Sequence, residues 1–152
     1  MDFEQEVDWD EIDAQRHEIE QEQRDEHEAV QAAQALRDAA GYIQRYGWTQ
    51  HSMWQPGADP DNPRACALGA IAIVTTNDLD HEAPFRGDPF VQTALDAFAV
   101  HLHPDERFII ADYPHRAADL VWLYNDRPDM TADKVCERLR HAADDLAPAI
   151  HP

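Results

Sequence analysis

Lysine is nearly missing from this chain. Of its 12 basic residues only Lys134 is a lysine, and against them stand 31 acidic residues, for a formal net charge of −19. A chain so poor in cations is a poor binder of nucleic acid or of an anionic membrane, so neither is expected as a direct partner. Cysteine is scarce too. Cys66 and Cys136 are the two in the chain and form no CxxC pair, which points to a reducing compartment and, with it, a cytoplasmic location. Five glycines occur and none sits in a GxG or GxxxxGK arrangement, which excludes the usual phosphate cradles. No apolar run nears the ~18 residues of a membrane helix. No basic segment leads into an apolar one at the N-terminus, so no secretory leader is expected.

Histidine is plentiful, with nine in the chain, but HExxH is absent: His17-Glu18 is followed by Gln21, and His27-Glu28 by Gln31. His101 and His103, with Asp105, Asp112 and His115 near in sequence, match no established zinc spacing. No metal and no cofactor are expected.

What is present begins with an acidic arm. Residues 2–28 carry thirteen Asp or Glu against Arg16 and Arg24 and contain no Pro or Gly. Their Glu, Gln, Arg and Ala content favours helix. Its large apolar residues are sparse, Phe3, Val7, Trp9, Ile12 and Ile19, and between Ile19 and Ala29 nothing apolar appears. A helix that polar cannot dock along its length, and the broken seam argues against a coiled coil. Two readings stay open: a solvated helix that aids solubility, or an interaction tail. As a tail it offers Glu4, Asp8, Glu11 and Glu18 to a basic protein surface, with Trp9 and Ile12 as apolar anchors. If helical, it spreads its thirteen carboxylates over about 40 Å, about one per 3 Å. Duplex DNA carries a charge per ~1.7 Å, so mimicry of DNA is a second way such an arm works.

From Ala29 the pattern becomes that of a buried domain spanning residues 29–152. Val30, Ala33, Leu36, Ala40 and Ile43 keep helical spacing, and Gly47 marks a stop. "WTQHSMWQPGADPDNPR" reads as a long loop. "ACALGAIAIVTTND" reads as a short buried helix, with a strand as competitor. After the loop "DLDHEAPFRGDP", Asp88 and Pro89 open a helix with Val91, Leu95, Phe98 and Leu102 on one face. "RFII" reads as a short extended piece, and "HRAADLVWLYND" as an apolar helix. Thr131 caps a last helix that turns Val135, Leu139, Ala142 and Leu146 inward. The expectation is an all-α bundle of about five helices with two long loops and an acidic arm.

Inside the domain the residues that invite chemistry are Trp48, Gln50, Cys66, Asn125 and Asp126. Cys66 opens a helix, where a thiol can become a nucleophile, and a trio with Asn125 and one of His101, His103 or His115 is conceivable. The competing reading makes Cys66 a small buried hydrophobe under the Trp48 loop, with Gly69 admitting a neighbouring helix. Asn125 and Asp126 close a helix before Pro128, Asn tolerating the left-handed conformation, and they can equally form a binding pair. Trp48, Trp54 and Trp122 read as anchors.

The succession "LRDAAGYIQRYGWTQ", "CALGAI", "YND" and "TADKVCERLRHAA" resembles a family of uncharacterised small proteins from actinobacteria and their phages. There a helix runs into a Gly-Trp turn, a CALGA-type helix follows, another ends in Trp-Asn-Asp, and a Thr-capped helix closes the domain. The resemblance covers roughly residues 35–147. Tyr124 stands here before Asn125 where the family has Trp, and Trp122 lies two positions earlier. The resemblance implies a helical fold and an actinobacterial or phage origin, and it carries no activity. The function expected is therefore non-enzymatic binding of a host protein through the acidic arm or the Trp-rich loop. A DNA mimic and a Cys-dependent enzyme are the alternatives.

Overall fold

The computed structural model describes residues 7–147; Phe3 and Glu4 of the arm lie outside them. The fold is all-α, with six α-helices among the described residues and one two-stranded hairpin.

Helix α1 (Trp9–Tyr46) is a single element of 38 residues. The Asp8 carboxylate starts it by accepting from the backbone N–H groups of Asp10 and Glu11, at 3.1 and 3.2 Å. Gly47 ends it at φ 104°, a conformation glycine adopts freely, and donates its N–H to the Ile43 carbonyl. The arm and the first helix of the domain are thus one rod of about 57 Å at 1.5 Å per residue. Burial begins only at Ala32 and then follows the helical period through Ala33, Leu36, Ala39, Ala40 and Ile43.

That buried half lies against α6 (Ala132–Leu146) and α2 (Ala67–Thr76). The α1–α6 seam is rich in alanine: Ala39 and Ala40 on one side, Ala142 and Ala143 on the other, all fully buried. Small side chains there let two backbones approach, and Leu36 and Leu139 fill what remains. The Cys136 thiol bonds the Ala40 carbonyl. Arg37 closes one end of the seam, donating to Asp144 at 3.0 Å and to the Ala147 carbonyl at 2.6 Å. Thr131 caps α6 as expected, its hydroxyl accepting from the Lys134 N–H.

Helix α2 is the element the others surround. Ala67 to Ala72 are all buried, because a helix apolar on every side is stable only in the centre of a domain. The left-handed residue expected at Asn125 belongs to α2 instead, where Asn77 stands at φ 59°. Helix α3 (Pro89–Leu102) starts on Asp88 and Pro89 and buries Val91, Leu95 and Phe98. It packs on α5 (Arg116–Asn125) and crosses α1 and α2.

"RFII" is helical, not extended: α4 (Arg107–Asp112) follows directly from a 3-10 turn over Pro104–Glu106. β-branched residues favour strands only where a sheet receives them, and Ile110 is buried here by α-helical placement. The sixth helix is this one. The long loop after α1 is not wholly irregular either, since β1 (Trp54–Gln55) and β2 (Arg64–Ala65) pair antiparallel within it. No helix among the described residues is long and apolar enough to cross a membrane.

Candidate functional site

Asn125, the last residue of α5, is completely buried. A buried carboxamide must find partners for its oxygen and its NH₂ group, and each is satisfied. Its Oδ1 accepts from the Trp48 indole at 2.7 Å and from the Ala67 N–H at 2.9 Å. Its Nδ2 donates to the Thr49 carbonyl at 3.1 Å and to Asp126 at 3.2 Å. Gln50 donates to the carbonyls of Asn125 and Arg127, at 3.0 and 2.9 Å. It thereby satisfies helix-end acceptors that a left-handed cap serves elsewhere, and α5 ends without one, Asp126 standing at φ −91°. The Asp126 carboxylate accepts from the His51 N–H at 2.9 Å and lies 3.5 Å from the His51 imidazole. His51 holds φ 65°, a strained position for a residue with a side chain, and Asp126 secures it.

Trp48, Gln50, Cys66, Asn125 and Asp126 therefore meet at one place. Their polar atoms are directed at one another and at backbone. The cluster is a clasp that ties the post-α1 loop to the start of α2 and the end of α5. Cys66 belongs to it as the N-cap of α2, its sulfur accepting from the Gly69 N–H at 3.2 Å. Burial pushes its pKa up to about 11; the Gly69 and Leu68 N–H groups pull the other way and the Asp126 charge adds to the rise. At neutral pH it is a thiol, which is the inert form. His101 lies instead 2.9 Å from Asp145, and His115 packs beside Phe85; the imidazole at the clasp is that of His51. Gly69 does not admit a helix. A Cβ there would stand 2.2 Å from the Met53 carbonyl oxygen, so the close neighbour is the loop backbone, held by the Cys66 N–H to Met53 O bond of 3.0 Å.

Beside the clasp is an open cleft of about 560 Å³. Met53 and Ala118 are its buried lining, and Ser52, Trp54, His81, Phe85, Asp119 and Trp122 complete it. The Trp54 and His81 rings lie 4.3 Å apart. Sequence reading passed over this cleft because Trp54, Phe85 and Trp122 come from three separate segments. The two tryptophans of the loop after α1, Trp48 and Trp54, were the available signal.

The arm is the other candidate. From Val7 to Gln31 every residue is exposed except Ile12 and Ala29, which are half-buried. Trp9 is 67% exposed, and Ile19 and Val30 are exposed as well. The free part of α1, residues 9–31, is roughly 34 Å long and carries nine carboxylates. Glu11 and Glu18 stand on it in solvent, and the exposed Asp8 caps its start. No Arg or Lys pairs with any of them among the described residues; the one contact of this kind is His17 with Glu20 at 4.0 Å. Glu18, Glu22 and Glu26 follow at i,i+4 and repel one another. Among the described residues no three His, Cys, Asp or Glu side chains gather as a metal site.

A family model described as a family of unknown function, DUF6197, matches residues 27–145. No curated protein and no solved structure matches the chain.

Proposed function

The chain belongs to that family of unknown function, and from this premise we propose that it is a non-enzymatic binding protein whose acidic arm docks on a basic surface of a host protein. The reading includes an actinobacterial or phage origin and action in the cytoplasm of the host cell. The matched region starts at residue 27, so the arm is an addition to what the family shares. The observation that carries the reading is the free end of α1: a helix that buries nothing before Ala32 yet keeps nine carboxylates and Trp9 in solvent. Trp9, 67% exposed near the outer end of this rod, offers a partner an aromatic anchor among the carboxylates.

A DNA mimic is the second reading. What favours it is the unpaired state of the carboxylates, about one every 4 Å along the free helix. The two readings differ in salt dependence. Exposed charge pairs are screened within ~8 Å at physiological salt, so a mimic releases its partner steeply with ionic strength, whereas docking led by Trp9 and Ile12 persists.

Capture from an actinobacterial lysate, followed by titration of the purified captured protein, tests this. The full chain is expected to hold one protein that a chain lacking residues 1–28 does not. Trp9→Ala is expected to weaken that complex about tenfold or more, as loss of a buried aromatic anchor does. Neutralising Asp8, Glu11 and Glu18 together weakens it more if the arm acts as a mimic. Equal capture by both baits moves the function to the domain and overturns the arm reading.

A further inference from the structure

The cleft beside the clasp has the chemistry to hold a flat organic cation. Trp54, Trp122, Phe85 and Asp119 are among the residues that line it. Aromatic rings attract a cation through their quadrupole. A carboxylate beside them selects among cations, because it accepts two parallel N–H bonds from a guanidinium and a single point contact from an ammonium.

The chain's own arginines do not serve this site; the basic side chain in its lining is His81, whose ring lies 4.3 Å from that of Trp54. Arg116, one turn before Asp119 on α5, is held by Glu106, and Arg86, next to Phe85, is held by Asp80. Asp119 has no ion-pair partner among the described residues. The arginines next to Phe85 and on α5 are thus taken by acids that do not line the cleft, and Asp119 is the carboxylate residue of its lining. The net charge of −19 raises the local concentration of any cation further. The cleft, at about 560 Å³, falls in the size range of sites that enclose a group much larger than a bare ion, which suits a side chain delivered with its flanking peptide.

We propose that the Trp54–Trp122 cleft binds the guanidinium of an arginine side chain presented by a protein partner, stacked among the aromatic rings and paired with Asp119. The proposal deepens the reading of a basic partner and rests on it, yet its site and its test are separate from the arm.

The four tryptophans supply the test. In ¹⁵N-labelled full chain, the indole signals of Trp54 and Trp122 are followed during titration, with Trp9 and Trp48 as internal controls; single Trp→Phe variants assign the four. The probes are N-acetyl-arginine amide, its uncharged citrulline analogue, N-acetyl-lysine amide, agmatine and an arginine-centred heptapeptide. The arginine probe is expected to shift Trp54 and Trp122 saturably and to leave Trp9 unmoved. The citrulline analogue should bind at least tenfold more weakly and the lysine probe severalfold more weakly. Asp119→Asn, an exposed change, should weaken the arginine probe about tenfold. The heptapeptide should bind more tightly than agmatine.

No shift at millimolar probe, equal binding of citrulline or lysine, or indifference to Asp119→Asn overturns the proposal. Agmatine binding as well as the heptapeptide reassigns the cleft to a free guanidino compound and overturns the partner part. The titration uses no host protein, so its failure leaves the arm reading standing. Loss of the arm reading in the capture experiment leaves these shifts unchanged.

Discussion

Asn125 joins three stretches of chain through one carboxamide, and the cost of losing it follows from what it leaves behind. Asn125→Ala strands the buried Ala67 N–H and Thr49 carbonyl and the part-buried Trp48 indole. At ~1–3 kcal/mol for each buried group left without a partner, the loss is expected near 4 kcal/mol, read from urea unfolding. Asn125→Asp separates the two halves of the amide. The oxygen acceptors survive, but at neutral pH a charged oxygen faces the Thr49 carbonyl and the Asp126 carboxylate. Protonation restores the donor, so this variant should regain stability as pH falls toward 4 while the parent chain does not. Cys66 provides a second pH test. Its folded pKa of about 11 lies above that of an unfolded thiol, near 8.5. The folded state therefore holds its proton longer, and the contribution is intact below about pH 8.5 and lost as pH rises toward 11. Relative to Cys66→Ser, which keeps a capping oxygen and does not titrate, the parent chain should lose about 2–3 kcal/mol across that window. At this scale the five residues of the clasp were legible because Trp, Gln, Cys, Asn and Asp are conspicuous among alanines. Their role was not legible, since partner and distance come only with three-dimensional contact.

Among the elements, helices with a complete start signal were readable. Asp88-Pro89 and Thr131 open α3 and α6 as their side-chain chemistry requires. "RFII" misled because β-branched residues speak for strand, and only the absence of a sheet edge, a tertiary fact, overrides them. The hairpin of β1 and β2 was hidden for the opposite reason: two residues per strand give no alternation to read. Its position against α2 depends on Gly69. A methyl at that position collides with the Met53 carbonyl, which is backbone and cannot rotate away. Gly69→Ala is expected to cost about 3 kcal/mol, and to raise the exchange rate of the Cys66 amide, whose acceptor is that same carbonyl. An equal stability would mean the hairpin moves freely, and the clasp would then not be the fixed point described above.

For the molecule as a whole, charge and burial are segregated along one helix. Residues 2–28 hold thirteen of the 31 acidic residues, while the hydrophobic core takes nothing from α1 before Ala32. Removing residues 1–28 should therefore change unfolding free energy by less than about 1 kcal/mol, within the range of surface changes. In the other direction, raising salt from 0.05 to 0.5 M should stabilise the full chain more than the shortened one, because it screens a self-repulsion that the shortened chain has largely lost. The shift from acidic arm to buried domain was visible in composition alone. That the two are one uninterrupted helix was not, because charge content says where burial stops and nothing about where backbone hydrogen bonding does.

That continuity has a thermodynamic consequence. A 23-residue helix of like charges standing alone would have to nucleate, and the first turn is the costly one. Here the turn already exists, fixed by Ala32, Ala33 and Leu36 in the core, and the arm only propagates from it. Each residue toward Trp9 adds one hydrogen bond against growing repulsion, so the helix behaves as a zipper closed at one end. Amide exchange should quicken steadily from Gln31 to Trp9, with no sharp step, and added salt should slow it most at the outer end. A partner that grips Trp9 would then stiffen the whole rod back to the domain.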